Sequence, residues 1–295
     1  MKNYDVVVIG AGPAGYEAAL ELAKGGFKTL LVDKNKEKIG GTCLNEGCVP
    51  AKNYLQSAEF ISKSSYFKEC GLDVDIKSFD LGRLREKTLL LKNELHSGVF
   101  WLLEQAGVEL LYGNASFVDA NTIDISGEKI TFKRAIIATG SKPKNLAELP
   151  LDNKNIIPSS GVFELTSLPS SIAIIGGGAI ACEFATFFSS FGAKVTLIVR
   201  GSQLLSKEDE DISKTLLRAF KKQNITVLTS AVVQEAEVKN GEVELFIKEI
   251  KEPIRCKMVL CASGRTPFTD ELNHQKAGVE SDERGYIKVS KSYVA

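Results

Sequence analysis

The 295-residue sequence has no excess charge of either sign: 37 Lys and Arg balance 37 Asp and Glu. A balanced chain offers no electrostatic case for a nucleic acid or an anionic membrane as partner. Long hydrophobic runs are missing, and none approaches the ~20 residues of a membrane-spanning helix. The chain enters the apolar run Val6–Ile9 at once, without the h-region and cleavage site of a secretory signal, so the expected location is cytoplasmic. Six cysteines are too few for a disulfide scaffold at this length. In a reducing compartment, two close ones point to catalysis or metal binding. The two histidines, His96 and His274, are expected on a helix and in a loop, neither of them catalytic. The 44% hydrophobic content excludes wholesale disorder, and the length suggests about two domains.

What is present begins with a βαβ pattern. Asp5–Ile9 reads as a buried strand, followed by the turn Gly10-Ala11-Gly12-Pro13-Ala14-Gly15. Ala14–Lys24 has helical spacing, and Lys28–Val32 is a second strand ending at Asp33. Gly10 suits the tight turn, Gly12 lets backbone approach a pyrophosphate, and Gly15 lets helix and strand pack closely. The helix N-terminus that opens at Pro13 and Ala14 offers N–H groups to phosphate. Asp33 sits where an acid accepts from ribose hydroxyls. The pattern recurs: strand Ser171–Ile175, the turn Gly176-Gly177-Gly178-Ala179-Ile180-Ala181, a helix containing Glu183–Ser190, and strand Lys194–Val199. Two copies predict two nucleotide-binding domains.

Between the copies, Ser57–Phe67 and Leu81–Gln105 read as helices. Val108–Phe117, Thr122–Ile125, Lys129–Phe132 and Arg134–Thr139 read as β structure. Ser141–Pro150 reads as a loop and a domain boundary. Later strands are expected at Thr226–Leu228, Val232–Val238, Val243–Ile247 and Met258–Ala262, with a helix at Asp211–Gln223.

The first βαβ unit is followed by Gly40-Gly41-Thr42-Cys43-Leu44-Asn45-Glu46-Gly47-Cys48-Val49-Pro50-Ala51-Lys52. Cys43 and Cys48 lack the spacing and the second ligand pair of a zinc site, so no metal is expected. A purely structural bridge would close a small loop with little entropic gain. A redox pair is the better reading. If Cys48 opens a helix running through Lys52 and Tyr54, the helix dipole favours its thiolate. Cys70, Cys182, Cys256 and Cys261 need no redox role, and Cys182 and Cys261 read as small core residues.

This stretch resembles the redox-active motif of the class I pyridine nucleotide–disulfide oxidoreductases, which include dihydrolipoamide dehydrogenase, glutathione reductase and mercuric reductase. Ala138-Thr139-Gly140 and Gly264-Arg265-Thr266-Pro267 resemble two further motifs of that family, in the same order. The resemblance implies an α/β fold of two Rossmann-like domains in three-layer architecture. It implies an FAD-binding domain over 1–149, an NAD(P)-binding domain over 150–272, and the start of a return segment to the FAD domain over 273–295. The implied activity is FAD-dependent dithiol/disulfide oxidoreduction, most like dihydrolipoamide dehydrogenase. The alternatives are an NADPH-dependent disulfide or mercuric reductase, or a catalytically incomplete nucleotide-binding fragment.

By the same resemblance, Cys43 is the interchange thiol and Cys48 the thiol facing the flavin. Lys52 lies near the flavin and forms a buried pair with Glu183. Gly41 and Thr42 contact the FAD pyrophosphate. Gly113, Ala115, Thr139 and Gly140 line its adenosine side, and Ser159 is a further neighbour. Gly176, Gly178, Ala181 and Glu183 belong to the nicotinamide nucleotide site, with Gly264 and Arg265 as further cofactor contacts. Val199 stands where an NAD site usually carries an acid, and Arg200 could pair a 2′-phosphate, so the pocket leans to NADP. Leu44-Asn45 and Tyr112–Phe117 lean instead toward dihydrolipoamide dehydrogenase, which normally uses NAD. The expected substrate is a small dithiol or disulfide, or a lipoyl domain. The family's Gly-Asp motif, acid/base His–Glu pair and C-terminal dimerisation domain are not found. The expectation is therefore a chain cut short, without the main interface of a homodimeric parent and with weak turnover.

Overall fold

A computed structural model describes residues 2–248 and 250–295. Along the chain run β1 (Lys2–Ile9), α1 (Pro13–Lys24), β2 (Thr29–Asp33), α2 (Gly41–Glu46), α3 (Cys48–Glu69) and α4 (Leu81–Gln105). Next come β3 (Glu109–Tyr112), β4 (Ala115–Asp119), β5 (Thr122–Ile125), β6 (Glu128–Ile137), β7 (Ser141–Pro143) and β8 (Ile156–Pro158). The remainder holds β9 (Ser171–Ile175), α5 (Ala179–Ser190), β10 (Lys194–Ile198), α6 (Glu210–Lys222), β11 (Thr226–Leu228) and β12 (Val233–Lys239). It ends with β13 (Glu242–Ile247), β14 (Ile254–Cys256), β15 (Met258–Cys261) and β16 (Arg265–Pro267). The chain divides into two compact units: residues 1–49, 90–142 and 265–295, and residues 50–89 and 143–264.

In the first unit the strand order is β3-β2-β1-β6-β5-β4. The pairs β3–β2, β2–β1 and β1–β6 are parallel, while β6–β5 and β5–β4 are antiparallel. Only Gly113 and Asn114 separate β3 from β4. Two residues reach roughly 7 Å, so β4 cannot lie at the far edge of a flat sheet. The antiparallel strands therefore fold over the parallel ones as a separate layer. Packing agrees: Phe117, Ile123, Ile125 and Phe132 share one core with Val7, Ile9, Leu30 and Val32. The other face of the parallel strands, through Val6, Val8 and Leu31, packs against Ala19, Leu20, Val99 and Leu103 of the helices. The three layers are thus antiparallel strands, parallel sheet and helices.

The second unit repeats the plan. Its sheet runs β11-β10-β9-β15-β8, with all its strand pairings parallel. Phe184, Phe187 and Phe188 of α5 and Phe220 of α6 pack on Ile172, Ile174 and Leu197 from one side. The antiparallel layer β12-β13-β14 supplies Val243, Leu245 and Ile247 to the other, against Ala173, Ile175 and Val259.

Several expected elements differ in extent. Lys129–Phe132 and Arg134–Thr139 merge into the single strand β6. Lys133 and Arg134, at the junction of the two expected strands, are exposed, and Lys133 Nζ pairs with Asp5 Oδ1 at 2.7 Å. Val108–Phe117 splits instead, at Gly113, whose φ is 159° and whose N–H donates to the Asp33 carbonyl at 2.9 Å. Ser141–Pro143, expected as loop, is the short strand β7. His274 is not in a loop but opens a 3-10 turn, His274–Ala277, and is buried. Asn273 Nδ2 ties this turn to Ser116 Oγ at 2.7 Å, and Leu272 sits in the core beside it. No helix among the described residues is long and apolar enough to cross a membrane.

Candidate functional site

The first Gly-rich turn lies between β1 and α1. The φ of Gly10 is 101°, and a Cβ there would sit 2.3 Å from the Ala138 carbonyl oxygen. Gly15 is tighter, with a Cβ position 1.7 Å from the Gly10 oxygen. Gly12 differs from both. Its φ of −69° and ψ of −179° suit any residue, and a Cβ would meet only the Gly41 Cα at 3.8 Å. Pro13 and Ala14, the first residues of α1, are exposed. Gly12 thus keeps a space open at the helix N-terminus, where N–H groups and the dipole favour an anion. Asp33 is oriented by backbone: Oδ2 accepts from Ala11 N at 2.8 Å and Oδ1 from Asn35 N at 3.2 Å.

The redox motif is tied to this turn. Gly40 N donates to the Ala11 carbonyl at 2.8 Å. A Cβ on Gly41 would lie 2.6 Å from the Gly12 Cα. Thr42 is exposed and Cys43 is half-buried on the six-residue helix α2. Gly47 breaks the chain, and Cys48 opens α3 as an exposed thiol. Cys48 is the first residue of α3, at the helix start where the sequence placed it. Burial raises the Tyr16 hydroxyl's pKa, and Glu17 and then Cys43 push it the same way.

Gly113, Ala115, Thr139 and Gly140 also belong to the first unit. Thr139 and Gly140 directly follow Ala138, whose N–H donates to the Ile9 carbonyl at 2.8 Å. The Gly140 carbonyl accepts from Phe268 N at 3.0 Å. Arg265 Nε donates to Ser141 Oγ at 2.8 Å, and its Nη2 to the Ser141 carbonyl. Burial lowers the Arg265 pKa. Arg265 is therefore committed to Ser141, a residue that sequence reasoning left without a role.

In the second unit, the φ of Gly176 is 137° and a Cβ there would lie 2.3 Å from the Ala262 oxygen. Gly178, with φ −84° and ψ −179°, has nothing within 4 Å of a Cβ. This repeats the contrast between Gly10 and Gly12. Ala181 is fully buried against the sheet. Val199 is buried, with Cγ1 2.6 Å from where a Cβ on Gly177 would stand, and Arg200 is exposed. Ser159 opens a 3-10 turn after β8, and Gly264 ends the unit.

Lys52 Nζ and Glu183 Oε1 form an ion pair in the second unit. The pair is not buried as expected: the side chains are 62% and 32% exposed. Such an exposed pair contributes about 0–1 kcal/mol, so stability does not explain it. Cys182, Cys256 and Cys261 are buried, and burial pushes each thiol up to about 11. No cluster of three or more His, Cys, Asp or Glu side chains able to hold a metal occurs among the described residues.

Two helix N-termini behind Gly-rich turns, with Cys43 and Cys48 beside the first, give the chain the layout of a two-domain α/β protein of the dinucleotide-binding kind. The comparisons make the class specific. Residues 4–294 match the pyridine nucleotide-disulphide oxidoreductase family, and the chain belongs to it. It is 34% identical over 291 residues to a dihydrolipoyl dehydrogenase of Geobacillus stearothermophilus, covering 97% of this chain and 61% of that one. It is 36% identical over 294 residues to a dihydrolipoyl dehydrogenase of Chlorobaculum parvum, covering 97% and 62%. Among solved structures, the HOCl-induced flavoprotein disulfide reductase RclA from Escherichia coli superposes with a TM-score of 0.85 at 28% identity, over 98% of this chain and 62% of that one. LpdA from Mycobacterium tuberculosis reaches 0.89 at 21% identity, which speaks for the fold. The chain spans about three-fifths of the length of these relatives.

Proposed function

We propose that the chain carries the flavin and nicotinamide half of an FAD-dependent dithiol/disulfide oxidoreductase, most like dihydrolipoyl dehydrogenase. The observation that carries this reading is the fastening of the Cys43–Cys48 motif to the first Gly-rich turn through Gly40 and Gly41. The FAD-binding domain is then residues 1–49, 90–142 and 265–295, and the NAD(P)-binding domain 50–89 and 143–264; the boundary expected at 272 moves to 264 because Arg265 bonds to Ser141 and Leu272 packs in the first unit's core.

The open space at Gly12 and the free N-terminus of α1 fit the pyrophosphate of FAD, with Gly10 and Gly15 closing the turn. Asp33, held by Ala11 and Asn35, faces the ribose hydroxyls. Gly41 and Thr42 lie against the pyrophosphate, and Gly113, Ala115, Thr139, Gly140 and Ser159 on the adenosine side. Gly176, Gly178 and Ala181 serve the nicotinamide nucleotide. Bound FAD supplies a two-electron relay between the cysteine pair and the nicotinamide.

In dithiol oxidation, a substrate thiolate attacks Cys43 Sγ of the Cys43–Cys48 disulfide, and Cys48 leaves as a thiolate. The second substrate thiol then displaces Cys43, closing the substrate disulfide and leaving the pair reduced. The proton released from the second thiol needs a base, and neither histidine occupies such a position: His274 is buried and His96 contacts the Lys36 carbonyl. Lys52 and Glu183, paired near the start of α3, orient the flavin side. A small dithiol or a lipoyl group is the substrate class, and the whole protein is a homodimer acting in the cytoplasm.

A second reading, reduction of a disulfide or mercuric ion with NADPH, is favoured by one observation: a buried Val199 beside an exposed Arg200 at the end of β10. The absorption spectrum of the purified chain tests the main reading. A flavin spectrum with a long-wavelength charge-transfer band on anaerobic dithionite titration, lost in Cys48→Ser, is expected. A colourless, cooperatively folded chain would overturn it.

A further inference from the structure

Helix α2 carries Cys43 but has only six residues, too few to hold itself together in water. Glycines bound it on both sides. Gly40 has a left-handed φ of 87°, and Gly47 has φ −143° and ψ −112°. Cys48 lies beyond Gly47, as the first residue of the 22-residue helix α3. The approach of the two sulfurs therefore depends on what anchors α2.

Asn45 is that anchor. It is 7% exposed, and its Nδ2 lies within hydrogen-bond distance of the carbonyls of Lys38 at 3.1 Å, Ile39 at 3.1 Å and Gly41 at 2.9 Å, which share its two N–H groups. All three partners are acceptors, so the amide has one possible orientation. Its Oδ1 is buried with no partner among the described residues. A buried acceptor without a partner is a cost, so the amide is a poor arrangement for stability alone. The three carbonyls belong to the segment that Gly40 N joins to Ala11, whose own N–H is held by Asp33 Oδ2. Asp33, Ala11, Gly40 and Asn45 thus form one continuous set of bonds from the Gly-rich turn to the helix of Cys43.

We propose that Asn45 is a positioning residue for the redox pair: its buried amide locks α2 onto the 38–41 segment and so fixes the approach of Cys43 to Cys48. The inference rests on the redox reading of that pair. Loosening α2 lowers the effective concentration of one thiol at the other and disfavours disulfide closure.

The test equilibrates the 295-residue chain and its Asn45→Ala and Asn45→Asp variants in glutathione buffers, with alkylation and peptide mass spectrometry as readout. Closure consumes one oxidised glutathione, makes the Cys43–Cys48 bond and releases two reduced glutathiones. In both variants the closure constant is expected to fall about tenfold, or about 30 mV. The buried Cys182, Cys256 and Cys261 are expected to stay as protected from alkylation as in the parent chain, so a general loosening of the fold is separable. Closure constants equal to the parent chain's would overturn the role of Asn45. A parent chain that forms no Cys43–Cys48 bond at any glutathione ratio would instead overturn the redox reading. A second measurement needs no variant: hydrogen exchange of the Asn45 side-chain amide and the Gly40 backbone amide by NMR. Slow exchange at both is expected, and fast exchange at Asn45 rejects the anchor.

Discussion

A Cβ on Gly15 would lie 1.7 Å from a backbone oxygen, whereas one on Gly178 would meet nothing within 4 Å. The first glycine is required by the fold; the second is spared by it. Gly10→Ala and Gly15→Ala are therefore expected to destabilise the chain by about 3 kcal/mol, since backbone cannot yield as a flexible side chain can. Gly12→Ala and Gly178→Ala should change stability by less than about 1 kcal/mol, their backbone angles being ordinary. Each should nonetheless weaken its nucleotide at least about tenfold, because the methyl group enters the space left for phosphate. Urea unfolding beside nucleotide titration checks both halves. A Gly178→Ala chain that binds NAD(P)H as the parent does would remove the second turn from the nucleotide site.

At the scale of elements, the two βαβ crossovers can be read against each other. Ile9 pairs with Val32, and Ile175 with Ile198, so Asp33 and Val199 occupy equivalent places one residue further on. Asp33 turns a carboxylate to the Ala11 N–H, whereas Val199 fills the same corner with a methyl against Gly177. An acid at 199 would restore an acceptor for a ribose diol. Val199→Glu with Arg200→Glu is expected to move the ratio of NADH to NADPH affinity toward NADH by at least tenfold, seen in nucleotide fluorescence titrations. An unchanged ratio would remove this strand end from nucleotide choice. The crossovers were legible in the sequence because turn glycines, apolar strands and the small-residue helix face all signal locally. The cysteine pair was legible through its spacing and neighbours. The strands of the antiparallel layer were legible too, but the switch into it at Gly113 was not, because it is set by Asp33, 80 residues earlier in the chain. The exposure of Lys52 was not legible either, since the ion pair with Glu183 reads the same at any depth. Nor was Ser141 as the Arg265 acceptor, because nothing in a serine after Gly140 announces a guanidinium.

For the molecule as a whole, the groups that burial perturbs most set an alkaline limit. Cys182, Cys256 and Cys261 all lie in the second unit, and burial raises each thiol from 9.0 to about 11. Burial likewise raises Tyr54, which is 1% exposed against Phe163 and Phe187, from 10.0 to about 12. Between pH 9 and 11 the unfolded chain gives up thiol protons that the folded chain keeps. The unfolded state then binds fewer protons, so stability falls with rising pH. The contribution is fully present below about pH 9 and is lost as pH passes the folded values, with Tyr54 extending the loss toward 12. Melting temperatures across pH 8 to 12 are expected to hold to about pH 9 and then decline. In a chain with Cys182, Cys256 and Cys261 all replaced by Ala, the cavities lower the whole curve, but the decline between pH 9 and 11 becomes shallower. Parallel curves for the two chains would mean that these thiols titrate alike folded and unfolded, and that burial in the second unit's core does not hold their protons.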